Sequence, residues 1–110
     1  MAWEHPREHY RVAYPTIARP KLLVQGHTFD VIDVSEHGLR FRLGDATPPA
    51  PGFEIEGTLR FKRGETVEVR GTVLRLDGGE VAARLDQGVP LRVIMEEQRF
   101  LLQRHRHPGL

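Results

Sequence analysis

The sequence predicts an all-β fold, a small six-stranded antiparallel barrel with one α-helix at its C-terminal end. Three observations predict it. Short segments between residues 21 and 85 alternate apolar and polar side chains, the period of two that suits a half-buried strand. Glycine and proline turn signals separate these segments. Beyond Pro90 the apolar period lengthens to that of a helix.

Taken in order, residues 1–20 read as an irregular, mobile arm. Pro6, Pro15 and Pro20 each remove a backbone donor, and Trp3, Tyr10 and Tyr14 are candidates to anchor the arm to the rest. Residues 21–110 hold the barrel and helix, so the whole is one domain. Residues 21–25 form a short strand ending at Gly26, and the β-branched run 28–34 a second. In the third, Leu39, Phe41 and Leu43 alternate with Arg40 and Arg42. Residues 47–52 are a stiff proline-rich loop. Phe53, Ile55, Leu59 and Phe61 then share one phase, with Gly57 on that face as a bend or bulge. Arg63 and Gly64 mark a turn. Val67, Val69 and Val73 follow, and a change of phase at Leu74 and Leu76 predicts a bulge. Asp77-Gly78-Gly79 is a hairpin signal, and Val81, Ala83 and Leu85 give the last strand.

In the tail, Leu91, Ile94, Met95, Leu101 and Leu102 recur at helical spacing with Gln98 on their stripe, while Glu96, Glu97, Arg99 and Arg104 fall largely elsewhere. Pro90 suits a first turn. Arg104, His105 and Arg106 suit a last one, and Pro108-Gly109 ends it. Such a helix covers an open barrel end or a sheet edge.

Composition excludes several functions. There is no cysteine, hence no disulfide framework and no thiolate nucleophile or zinc ligand. Net charge is +1, less basic than a general nucleic-acid binder. No apolar run approaches the roughly 20 residues of a membrane span, and the first eleven residues lack the apolar stretch of a signal peptide. A cytoplasmic protein is expected. Of the 16 basic residues, Lys21 and Lys62 are the only lysines. Guanidinium forks match phosphates and guanine edges in a way that ammonium groups do not.

Two motifs stand out. Arg7 and Arg11 form an R-x-x-x-R in the arm, and Asp33, Ser35 and Gly38 form a D-x-S-x-x-G about twenty residues further on. The first alone also fits a solvated arm, and the second a strand end followed by a glycine at positive φ. Functionally, arm arginines can close over phosphates with bidentate bonds or stack on purines. Asp33 and Ser35 share a parity, so both reach one face, which is mixed if Phe29 and Val31 share it. A carboxylate there accepts guanine N–H donors, and Gly38 lets a ligand approach the backbone.

In this order and spacing, with the barrel and helix around them, the motifs resemble the PilZ family, whose members bind the bacterial second messenger cyclic di-GMP. The resemblance covers nearly the whole chain. It implies that Arg7 and Arg11 hold phosphates and guanine edges, and that Asp33, Ser35 and Gly38 contact a guanine from the barrel surface. Many members carry a basic residue where this chain has Pro6. In the family that position is linked to whether one ligand or a stacked pair is bound.

The expected protein is a cytoplasmic cyclic di-GMP receptor whose arm orders on binding and meets an unidentified downstream protein. The rival readings are an adaptor of the same fold that binds no nucleotide, and an oligonucleotide-binding barrel. Near-neutral charge and few strand aromatics disfavour the latter, and neither a nucleic-acid partner nor a cofactor is expected. His5 and His9 straddle Pro6, and His105 and His107 sit at a fraying end with no acidic cluster, so no metal site is expected. Asp33, Ser35 and His37 lie too close on one extended segment for a catalytic relay, so an enzyme is not expected.

Overall fold

The structure, a computed structural model, describes residues 11–105. Seven strands precede one helix: β1 (Arg11–Ala13), β2 (Lys21–Val24), β3 (His27–Ser35), β4 (Gly38–Arg42), β5 (Glu54–Arg60), β6 (Thr66–Asp77), β7 (Glu80–Gln87) and α1 (Leu91–His105). Six of them form the expected antiparallel barrel, in the order β3-β2-β5-β6-β7-β4, with β4 pairing back onto β3 to close it. Among the described residues, closure leaves only the three-residue β1 as an edge strand.

The extra strand is β1, and it corrects the reading of residues 1–20 as wholly irregular. Arg11, Val12 and Ala13 pair antiparallel with Ser35, Val34 and Asp33. That is the part of β3 left bare where β2, paired with His27 to Asp30, has ended. The prolines allow this because Pro15 and Pro20 both follow the strand rather than interrupt it. Between them Thr16–Ala18 makes a 3₁₀ turn, and the Pro20 carbonyl accepts the Val31 N–H at 3.0 Å. Arg7, Tyr10 and Trp3 lie outside the described residues.

The core follows the alternation. Leu22, Val31, Val34, Leu59, Val69, Val73 and Val81 are buried, with Phe41 and Phe61 filling the larger gaps. The β6–β7 register shifts between Val73 and Arg75, the bulge that the change of phase predicts. Leu74 is left largely in solvent while Leu76 turns back against the core. Two expectations for β5 need correction. Phe53 precedes the strand and is 53% exposed. Gly57 makes no bulge against β6, since the register with Val69 is unbroken. A Cβ there would sit 2.4 Å from the Leu23 carbonyl oxygen, so the glycine permits β2 and β5 to approach closely.

The helix is turned relative to the sequence reading. Its inward face carries Val93, Ile94 and Glu97, with Leu101 half-buried, whereas Leu91, Met95 and Leu102 are exposed. Pro90 lies just before the helix, and its carbonyl accepts the N–H groups of Val93 and Ile94. The cause of the rotation is Glu97, which is 1% exposed. Its Oε1 accepts the Tyr14 hydroxyl at 2.5 Å and its Oε2 accepts Arg63 Nε at 2.5 Å. Arg63 in turn meets Glu65 at 3.0 Å and Glu96 at 3.3 Å, and Arg92 bridges the same two carboxylates. The network fastens α1 over the barrel end formed by the β5–β6 turn and the β1–β2 connection. Tyr14 is thus an anchor, as expected.

Removing one partner of a buried pair strands the other. Glu97→Ala leaves the buried Tyr14 phenol without its acceptor and takes from Arg63 the most buried of its three carboxylates, and should cost about 3 kcal/mol. Urea unfolding should show a lower midpoint with an unchanged slope.

Tyr14 also sets a pH dependence. Burial, then its bond to Glu97, holds the phenol far above its ordinary pKa of 10.0. The unfolded chain therefore loses this proton first. Stability should be constant just below pH 10 and fall as pH rises beyond it, and Tyr14→Phe should flatten that fall. Unfolding free energies measured between about pH 8 and 11 test it.

Candidate functional site

The site begins with a bulge in β3. Val31 pairs with Phe41 and Asp33 with Arg40, so two residues of β3 advance against one of β4 and Ile32 is the extra residue. The phase of the strand inverts there. Val31 and Val34 both enter the core, and Asp33 and Ser35 are delivered to the outer face beside Arg40. Phe29 and Val31 consequently do not share a face with them, contrary to the condition weighed from parity alone. The Ile32 carbonyl, displaced from the ladder, accepts the Tyr14 N–H at 2.9 Å.

Neighbouring strands extend this outer face. Arg11 pairs with Ser35 and Ala13 with Asp33 across β1. On the other side Gly38 pairs with Arg84 and Arg40 with Ala82 across β7, and Ala82 pairs with Arg75 of β6. The register thus lays Arg11, Ser35, Gly38 and Arg84 along one row, and Asp33, Arg40, Ala82 and Arg75 along the next. Gly38 and Ala82 have little or no side chain, which opens a cleft of about 270 Å³ between the arginines. Arg11, Arg40, Arg75 and Arg84 all line it, with Ser35 at the edge.

Asp33 is 3% exposed. Its Oδ2 accepts Arg40 Nε at 3.0 Å and Nη2 at 2.8 Å. Arg11 Nη1 lies 3.5 Å from Oδ1, an ion contact longer than a good hydrogen bond. Arg40 Nη1 reaches Glu80 at 3.4 Å. The hydrogen bond to Asp33, then its charge, raises the Arg40 pKa further above its ordinary value. The Asp33 carboxylate is therefore already doubly bonded to Arg40, with Arg11 in looser ion contact.

The turn between β3 and β4 is fixed from behind. The Glu36 and His37 carbonyls accept Val89 and Leu85 N–H groups at 3.0 and 2.9 Å. A Cβ on Gly88 would stand 1.8 Å from the Glu36 oxygen, so only glycine lets the β7–α1 link come this near. Gly38 does not occupy the left-handed region. A Cβ there would meet only Ser35 Oγ, at 3.1 Å, so its missing side chain bears on the cleft rather than on backbone strain.

Among the described residues no hydrogen bond joins Asp33, Ser35 and His37, and no group of three or more metal-ligating side chains occurs. A second cavity, about 600 Å³, lies under the loop at residues 47–52 and is walled by Phe29, Phe41, Leu43 and Phe53. Among the described residues its lining includes no arginine or lysine, so phosphates would find no guanidinium or ammonium group there.

The structure thus brings together Arg11, Asp33, Ser35 and Gly38, and Arg7 lies outside the described residues. Sequence reasoning missed Arg40, Arg75 and Arg84. As alternating polar residues of strands they look like any solvated face, and only the register gathers them.

This barrel, with its arginine-lined outer face and terminal helix, is that of a small binding domain. The chain belongs to the PilZ domain family, whose model matches residues 5–105. Members of that family are generally cyclic di-GMP-binding adaptors rather than catalysts. No curated protein matches the sequence. Among the described residues no helix is long and apolar enough to cross a membrane.

Proposed function

We propose that this chain is a cytoplasmic receptor for cyclic di-GMP that binds through Arg7, Arg11, Asp33, Ser35 and Gly38 and signals to a downstream protein. The observation that carries the reading is the pairing of Arg11 with Ser35. It sets the end of one motif against the middle of the other, over a cleft lined by four guanidinium groups. The ligand carries two phosphates and two guanines. Arg11 and Arg7 supply forks for phosphate oxygens and for the guanine O6 and N7 acceptors. Asp33 is an acceptor for guanine N–H donors, Ser35 adds a hydroxyl, and Gly38 leaves room for a base against the sheet. Arg75 and Arg84 extend the same surface and add cations for the far side of the molecule.

Signalling is by closure of the arm. Since β1 is already paired to β3, the step falls on the residues before Arg11. Fixing each of them costs about 1–2 kcal/mol of backbone entropy, which contacts to phosphate and guanine offset. The ligand shifts this equilibrium only by its preference for the closed arm, and the closed arm is the surface that the downstream protein meets.

Calorimetry with cyclic di-GMP tests the reading and gives the stoichiometry that Pro6 leaves open. A hydrogen bond to a charged group contributes about 1.5–3 kcal/mol, so Arg11→Ala should weaken binding at least about tenfold. Arg11→Lys should restore little, lacking the fork. An unchanged titration curve for Arg11→Ala would sink the assignment.

Hydrogen exchange tests the closure. Amides of residues 7–10 should slow on adding cyclic di-GMP, while those of Val12 and Tyr14 stay protected with and without it. Equal exchange of residues 7–10 in both states would rule out closure as the signal.

A further inference from the structure

We infer that Arg40 is a positioning residue of the nucleotide site: it clamps one oxygen of the Asp33 carboxylate so that the other faces the ligand. The inference rests on the receptor reading above, and it concerns a residue outside both motifs. Asp33 is almost wholly withdrawn from water, and a carboxylate so placed needs a fixed cation. Arg40 supplies it from directly across the β3–β4 ladder. Both of its donors, Nε at 3.0 Å and Nη2 at 2.8 Å, go to Oδ2. Among the described residues, Oδ1 accepts no hydrogen bond and its one cation contact is the distant Arg11 Nη1, at 3.5 Å.

The clamp is itself anchored. Glu80 on β7 takes the remaining nitrogen of Arg40 at 3.4 Å, so Glu80, Arg40, Asp33 and Arg11 make a chain of alternating charge across four strands. The tight link is the central one, between Arg40 and Asp33, and the outer links are longer. Arg11 is half exposed and weakly tied, whereas Arg40 is doubly bonded. A guanine N–H arriving at Oδ1 displaces Arg11, not Arg40, and the released guanidinium is free for the ligand's phosphate. Arg40 fixes the plane of the carboxylate through its two bonds to Oδ2. This favours guanine, whose edge donates through N1–H and N2–H, over adenine, whose N1 is an acceptor.

Titration of cyclic di-GMP and cyclic di-AMP into four proteins tests this: the unaltered chain, Arg40→Ala, Asp33→Ala and the double variant. Arg40→Ala should weaken cyclic di-GMP binding about tenfold or more and reduce its margin over cyclic di-AMP. The double variant should bind no more weakly than the weaker single one, because Arg40 acts through Asp33. Arg40→Lys keeps the charge without the fork and should fall between. It also stands in if Arg40→Ala fails to fold by circular dichroism. Without any ligand, the Arg40 Nε–H resonance should shift in Asp33→Asn. Unchanged affinity and selectivity in the Arg40 variants would overturn the inference while leaving the receptor reading intact. So would losses that multiply in the double variant, which would make Arg40 a direct contact, or an unmoved Nε–H resonance. Absence of cyclic di-GMP binding by the unaltered chain would overturn both.

Discussion

The extra residue in β3 is the constraint on which the site depends. With strict alternation, Val31 and Asp33 would share a face, and either the carboxylate would enter the core or the valine would leave it. Inserting Ile32 against β4 resolves the conflict. It puts Val31 and Val34 inward on either side of the break and sets Asp33 opposite Arg40 on the outer face. The bulge leaves a carbonyl unpaired in the ladder, and the Tyr14 N–H accounts for it. The outward placement of Asp33 and its pair with Arg40 are thus consequences of one inserted residue.

The buried carboxylate at Glu97 organises the other end. Taking it from water is unfavourable unless its lone pairs are satisfied, and three segments distant in sequence converge to do so. Tyr14 comes from the β1–β2 connection, Arg63 from the β5–β6 turn, and Glu97 from the helix. Burial works against the Arg63 charge, but the bonds and charges of Glu97 and Glu65 together outweigh it and hold its pKa above the ordinary value. The network fixes the rotation of α1 as well as its position. Because Glu97 must face inward, Leu91, Met95 and Leu102 face out, and an apolar stripe drawn from helical spacing alone selects the wrong side.

These two features mark the boundary of what was legible. Strands β4, β5, β6 and β7 show in the sequence because one face is apolar, and the β6 bulge shows because Val73, Leu74 and Leu76 break step. The β3 bulge leaves no such trace: Val31, Ile32 and Val34 are apolar on both parities, so no change of phase is visible. β1 has three residues, too few to display alternation, and exists only because β2 stops short along β3. Glu97 reads as a solvent-facing residue until its partners, 83 and 34 positions away, are brought to it. Arg7, Arg11, Asp33, Ser35 and Gly38 were legible as motifs by residue type and spacing. Arg40, Arg75 and Arg84 were not, since their grouping is made by strand register and not by anything local.

The two ends are joined through one short segment. Arg11 lines the cleft, and three residues later Tyr14 is held twice, by its N–H on Ile32 and by its hydroxyl on Glu97. Val12 between them is buried in the core. A segment fixed at its downstream end and in its middle cannot swing as a whole, because doing so would strip Glu97 of a donor and uncover Val12 together. Local opening is cheapest where buried contacts are fewest, and along β1 that is at Arg11, whose side chain is half exposed and whose tie to Asp33 is long. Along this segment the hold is therefore weakest at Arg11, the residue that lines the cleft, and strongest from Val12 to Tyr14.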